Sequence, residues 1–422
     1  MKRKNLYQNL SRLCLALFFL YLFFLPLFRG VIYPTERALF SLLLILIFSI
    51  FVFRESLKKE GLSSLIQWEA VSVASSVLLL ACIAQTWGVS QSFSDSLPRL
   101  LDFVQLFFLF HFVRLAFDRQ RRRKRLFQFF FALSLFHCLL ALGYTMGLLE
   151  ASWWEKPEFL SGTFVNHNHF AGFLELMIFL QIGMVLGSMG TRFYLLFSLI
   201  GFQTLIFFLS MSRGGWISFA LTLFFIAILL IGQGSMKQLG VRLLGGLVLG
   251  LSIFFVIVYS GVQPDLTKRF NSFFEKEGQF EFLDFRVKLY KATAQAIEEK
   301  PLSGYGAGAF RWEMRRFRPD GFPYQFDFTH NDYLQFAMEL GIPISLFGIG
   351  LVLWILILGI SRFRSRRLQA FRFEELGLAG GVVCLLIHSL VDFNLHIYSN
   401  AAFFTVYLAL LSKPVKETFE ND

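Results

Sequence analysis

The polar residues with chemical potential in this chain sit beside apolar runs. The stretch "FTHNDYLQFAMELGI" (328–342) places Thr329, His330, Asn331 and Asp332 at the front of an apolar segment. An imidazole with an ordinary pKa near 6.5 exchanges protons at neutral pH. The stretch "SMSRGGW" (210–216) sets Arg213 before two glycines at the edge of another apolar run. A guanidinium is always charged, and its fork suits phosphate. Open amides at a helix N-terminus attract an anion as well. A proton acceptor and a fixed cation of this kind suit proton removal beside an anionic group. Each has a plain structural counterpart. Arg213 could snorkel to lipid headgroups, and Thr329, Asn331 and Asp332 are good helix N-caps. Capping gives no reason for the histidine.

Two further polar stretches accompany these: "SGTFVNHNHFAGF" (161–173) and "HSLVDFNLHIYSN" (388–400). Ionisable residues at membrane depth are costly and face a bundle interior or a wet cavity. Four clusters at one membrane face point to a single site, with Asn166, His167, Asn168, Asn331 and Asp332 as candidate substrate-binding side chains. A zinc site built from His167, His169, His330, His388 and His396 is disfavoured. His167 and His169 stand two apart and diverge on a helix, and HExxH and paired-cysteine signatures are absent. No metal or cofactor is expected. The glycines of "SGYGAGAF" (303–310) are a weak nucleotide-loop signal and read as a tight backbone turn.

The elements that position these residues follow from composition. Of 422 residues, 55% are hydrophobic, 56 are Phe, and only 16% are charged. A bilayer core needs roughly 20 apolar residues per helix, and about twelve segments qualify. They lie near 10–29, 34–53, 68–87, 98–117, 126–149, 167–188, 192–210, 214–232, 240–260, 334–360, 376–394 and 399–412. None alternates with the period of a barrel strand. The fold class is therefore an all-α polytopic membrane protein. The first segment reads as a retained span, because its apolar run is too long for a signal peptide. Cys14, Cys82, Cys138 and Cys384 all fall inside spans and read as packing residues.

The net charge of +11 reflects topology and gives no support to a nucleic-acid partner. Basic runs such as "DRQRRRKR" (118–125) and "SRFRSRRLQAFRFEE" (361–375) fall on one side when the N-terminus is cytoplasmic, where anionic membrane lipid is the expected partner. The short outer connections then hold Arg29, Arg37, Arg99, Lys156 and Arg213. The C-terminus is also cytoplasmic in this arrangement. Residues 261–333 form one large outer loop, about 70 residues long, and long loops in compact proteins are usually functional or disordered. Within it, "LDFRVKLYKATAQAIEEKP" reads as an amphipathic helix with Leu283, Val287, Tyr290, Ala294 and Ile297 on its apolar stripe. Three regions follow: spans one to nine (1–260), a cap (261–333), and spans ten to twelve with a tail (334–422).

The pieces "GTFVNHNHFAGF", "SMSRGGWISF", "RVKLYKATAQAIEEKPLSGYGAGAF", "FTHNDYLQFAMELGI" and "HSLVDFNLHI" together resemble the O-antigen ligase family. That family includes lipopolysaccharide O-antigen ligases, Wzy-type polymerases and protein O-oligosaccharyltransferases. The resemblance implies a GT-C-like fold in the bacterial inner membrane. It implies a metal-independent, inverting glycosyltransferase with a periplasmic site, an undecaprenyl-pyrophosphate-linked glycan as donor, and a lipid, glycan or protein hydroxyl as acceptor. By the same resemblance Arg213 and Arg286 hold the pyrophosphate, and His330 is the general base or orients the acceptor. A transporter of the same lipid-linked glycan is the rival class; transporters usually show repeats and broken helices at the midplane.

Overall fold

The computed structural model describes residues 2–58, 61–65, 69–149, 159–231, 276–318, 327–365 and 372–415. The ninth expected span, 240–260, lies outside the described residues. So does the first part of the outer loop, 261–275.

Eight long helices come first: α1 (Lys2–Leu27), α2 (Pro34–Ser56), α3 (Ala70–Val89), α4 (Phe93–Ala116), α5 (Gln120–Thr145), α6 (His167–Leu186), α7 (Gly190–Leu209) and α8 (Arg213–Ile231). After the undescribed stretch come α9 (Lys276–Glu299), α10 (Asp332–Leu340), α11 (Ile342–Ser365), α12 (Arg372–His388) and α13 (Tyr398–Ser412). Among the described residues, nine helices are long and apolar enough to cross a membrane: α1 to α8 and α11. The two last expected spans appear as the shorter helices α12 and α13. The chain is thus a polytopic helical membrane protein.

Helix α6 is the axis of the bundle and is buried on almost every side. It packs closely along α12, where small residues let the backbones meet, as in other membrane bundles. A Cβ on Gly377 would lie 2.5 Å from the Phe179 carbonyl oxygen. Amide side chains tie in α5 and α7: Gln181 Nε2 donates to Ser134 Oγ at 2.7 Å, and Gln203 Nε2 to Gln181 Oε1 at 2.9 Å. The four cysteines are buried free thiols, as their positions in the spans imply.

The two ends of the bundle differ. One end gathers Arg54, Arg114, Arg123, Arg362 and Arg372. There Glu69 pairs with Arg114 and with Lys413, and Arg123 donates to the Lys413 carbonyl at 2.7 Å. The opposite end carries the polar stretches. It also carries the non-glycine residues of positive φ among those described: Arg29, Val31, Met211 and His330. Such backbone is uncommon outside glycine and collects at functional turns.

Two expectations are corrected. The tenth span does not run unbroken over 334–360. Gly341, at φ 78° and ψ 159°, separates α10 from α11. A Cβ there would lie 2.3 Å from the Leu302 carbonyl oxygen, so the "SGYGAGAF" loop packs directly into the break. The loop's amides are already used: Tyr305 N and Gly306 N donate to the Glu339 carbonyl at 3.2 and 2.8 Å, and Gly308 N to Glu339 Oε2 at 2.8 Å. The loop is a clamp on the break. The second correction concerns α9. Its buried face holds Leu289, Ala292, Thr293 and Ala296, whereas Val287 of the expected stripe is 44% exposed. The apolar stripe is rotated because α9 packs on Tyr305, Phe310 and Met314 of its own cap and on Met338 of α10, small side chains facing the contact.

Candidate active site

The site forms where the ends of α6, α8, α10 and α12 meet. Asn166 is the N-cap of α6, and its side chain accepts from Asn168 N at 2.8 Å. His167 Nδ1 lies 2.7 Å from the Ser210 carbonyl oxygen. A carbonyl only accepts, so Nδ1 carries the proton. That bond ties the first polar stretch to the turn preceding Arg213. His167 and Asn168 are both partly exposed.

Arg213 opens α8, and the glycine after it seats that helix on α12. A Cβ on Gly214 would lie 3.0–3.1 Å from the His388 ring and 2.9 Å from Val391. Arg286 projects from α9, and its charge acts on both His330 and His388.

His330 sits one residue before the N-cap of α10, at φ 58°. Its ring stands edge-on to Phe393 with centroids 4.9 Å apart, and Phe393 in turn stacks on Phe328 at 4.2 Å. Its carbonyl accepts from the Tyr290 hydroxyl at 2.8 Å, which fixes the turn to α9. Its Nδ1 has no hydrogen-bond partner among the described residues. Burial pushes the His330 pKa down, Asp392 pulls it up and Arg286 pushes it down; the net is below 6.5. The imidazole is therefore neutral at physiological pH, the form that accepts a proton.

Asn331 caps α10, as its residue type indicates. Its Oδ1 accepts from Leu334 N at 3.0 Å, and its Nδ2 donates to the Leu390 carbonyl at 2.9 Å. Asp332 is fully buried. Its Oδ1 accepts from His396 Nδ1 at 2.5 Å and its Oδ2 from Leu395 N at 2.9 Å. Asn331 and Asp332 thus fasten the His330 turn to the connection after α12.

The hub of the site is Asp392. It is buried, His169 Nε2 stands 3.8 Å from its Oδ1, and His330 and His388 both lie within range of its charge. Burial raises its pKa, but the three histidines and the Phe393 amide at 2.8 Å outweigh burial and hold the carboxyl below its ordinary value. It is an anion inside a ring of imidazoles. Asp392 and Glu175 were not singled out from the sequence as site residues, and His388 entered only as a member of the disfavoured zinc set. The signal was present: Glu175 interrupts "FLELMIFL" and Asp392 interrupts "SLVDFNL", and an ionisable residue in such a run is a site candidate by default.

An apolar cavity of about 320 Å³ flanks the site and reaches Asp332 and Tyr333. Phe103, Phe107, Phe336 and Val352 are among its walls.

Arg213, Arg286 and the whole of α10 fall within residues 193–347, which match a family model described as O-antigen ligase. This stretch is similar to the O-antigen ligase family. No curated protein matches the chain. The matched stretch holds the two arginines and His330, while Asp392 and the first turn of α6 lie outside it in sequence and against it in space.

Proposed function

We propose that the chain is a membrane glycosyltransferase that moves a glycan from undecaprenyl pyrophosphate to an acceptor hydroxyl. One observation carries this reading: a neutral, half-buried His330 lies within range of Asp392 and Arg286, at the end of the bundle where Arg213 opens α8 against His388 and Val391. The polar end would be periplasmic and the basic end cytoplasmic, following the positive-inside rule. The full architecture would be twelve spans with a GT-C-like arrangement, capped by residues 261–333.

In this mechanism the acceptor hydroxyl attacks the anomeric carbon from the face opposite the pyrophosphate. The new C–O bond forms as the bond to pyrophosphate breaks, which inverts the centre. The hydroxyl proton passes to His330, and the leaving pyrophosphate keeps the electron pair. Arg213 and Arg286 meet the charge that develops there. Preorganised cations of this kind are often the largest catalytic term, so a metal ion is not required. Asn166, His167 and Asn168 would contact the sugar or phosphate. Asn331 and Asp332 would hold the His330 turn in register. The neighbouring apolar cavity suits a lipid chain of one reactant.

An O-antigen ligase is the preferred assignment; a Wzy-type polymerase or a protein O-oligosaccharyltransferase would use the same machinery on another acceptor. The test is purified protein in nanodiscs with a lipid-linked glycan donor. Release of undecaprenyl pyrophosphate, undiminished by a chelator, is expected. A donor that stays intact with every acceptor class would overturn the reading. A deletion strain then separates the acceptors, since loss of a ligase leaves free lipid-linked chains and loss of a polymerase leaves single repeats.

A further inference from the structure

Glu175 is fully buried in the third turn of α6, and His388, 1% exposed, closes α12 beside it. His388 Nδ1 lies 3.1 Å from Glu175 Oε1 and 3.2 Å from Oε2. A carboxylate inside a membrane bundle is expensive. An ion pair of this kind can often be replaced by apolar residues without loss of stability. The α6–α12 contact has its own basis in the close approach at Gly377. Helix packing alone therefore does not account for the pair.

Its contacts point at α8. Ser218 Oγ donates to Glu175 Oε1 at 2.8 Å, and a Cβ on Gly215 would lie 3.1 Å from the same oxygen. His388 Nε2 lies 3.5 Å from Ser212 Oγ, which accepts from Gly215 N at 3.2 Å. Gly214 rests on the His388 ring itself. Every residue flanking Arg213 from 212 to 215 is thus braced by Glu175, by His388 or by the bond between them.

We propose that Glu175 and His388 are positioning residues, a buried pair that fixes the first turn of α8 and thereby aims Arg213 at the anionic group of the donor. The inference rests on the glycosyltransferase reading and deepens it. The pair does not touch substrate. Glu175 holds the imidazole proton on Nδ1 and fixes the ring plane. The ring is the floor for Gly214, and the Ser212 cap sets the direction of the helix.

The experiment uses the full chain in nanodiscs with lipid-linked donor, and inorganic pyrophosphate as a competing probe. Glu175→Gln keeps the shape and loses the charge. Its folded fraction should show the donor KM and the pyrophosphate inhibition constant both raised about tenfold. Combined with Arg213→Lys it should add nothing further, because both changes act through one guanidinium. Gln181→Leu, six residues along the same helix, is the control for a packing defect, with KM unchanged. If Glu175→Gln does not fold, Gly214→Ala tests the same contact from α8 with both ionisable groups intact, and the same rise is expected. An unchanged KM in a folded variant, or full additivity with Arg213→Lys, overturns the positioning role. Absence of turnover in the wild type would instead remove the glycosyltransferase reading, and this inference with it.

Discussion

His330 combines a left-handed backbone, a half-buried ring and a charged neighbourhood of mixed sign. A base assignment makes a definite prediction from these. His330→Gln should keep its fold and lose about 10²–10⁴ in transfer rate, checked by turnover alongside thermal unfolding. The wild-type rate should fall on the acid side at a pH below 6.5, because burial lowers the imidazole pKa and only the neutral ring takes a proton. Asp392 acts against that lowering. Asp392→Asn should therefore shift the acid limb to still lower pH, measured on whatever activity remains; a limb that stays in place would separate Asp392 from His330. The arginines make a second test. Arg213→Ala and Arg286→Ala should each cost about 10²–10³ in rate, with lysine restoring only part because it lacks the bidentate fork. Near-normal turnover in both alanine variants would remove the pyrophosphate role.

At the scale of elements, the break between α10 and α11 decides where His330 stands. Gly341 holds a positive φ while the Leu302 carbonyl crowds the place of a Cβ. Gly341→Ala should destabilise the protein by about 2 kcal/mol or more, since strain and a backbone clash coincide. Thermal unfolding of the detergent-solubilised variant would show it, and an unshifted midpoint would mean the break is not under tension. The sequence displayed this element only in part. Apolar length announced α1 to α8, and the Asn331 cap was legible from residue type and position. The break was not legible, because Gly341 lies between two apolar runs and its partner loop is about forty residues away. The buried face of α9 was rotated for a related reason. A period of 3.6 shows that a stripe exists, but which side is covered depends on the partner, and here small alanines face a cap core. Four polar stretches were legible as neighbours at one end; the hub at Asp392 needed the fold, since it joins residues from α6, from the turn before α10 and from α12.

For the whole molecule, the two unlike ends of the bundle carry the functional argument, because the proposed reaction needs its site on the outer side. The basic end gathers arginines around Glu69 and Lys413, while the other end holds the imidazoles, Asp392 and the strained turns. Positive charge near short loops sets orientation, so Lys58 should face the cytoplasm and Met146 the periplasm. The native thiols suit a direct test, since all four are buried and give little background. Lys58 belongs to the basic end and its side chain is 40% exposed. Met146 follows α5 at the opposite end and is 63% exposed. Lys58→Cys should react with a membrane-impermeant maleimide only after permeabilisation, and Met146→Cys should react in intact spheroplasts. The reverse pattern would place His330 and both arginines on the cytoplasmic side, where a base aimed at a periplasmic acceptor has nothing to act on. Labelling of both sites in intact cells would mean that at least one crossing between α2 and α5 is misassigned.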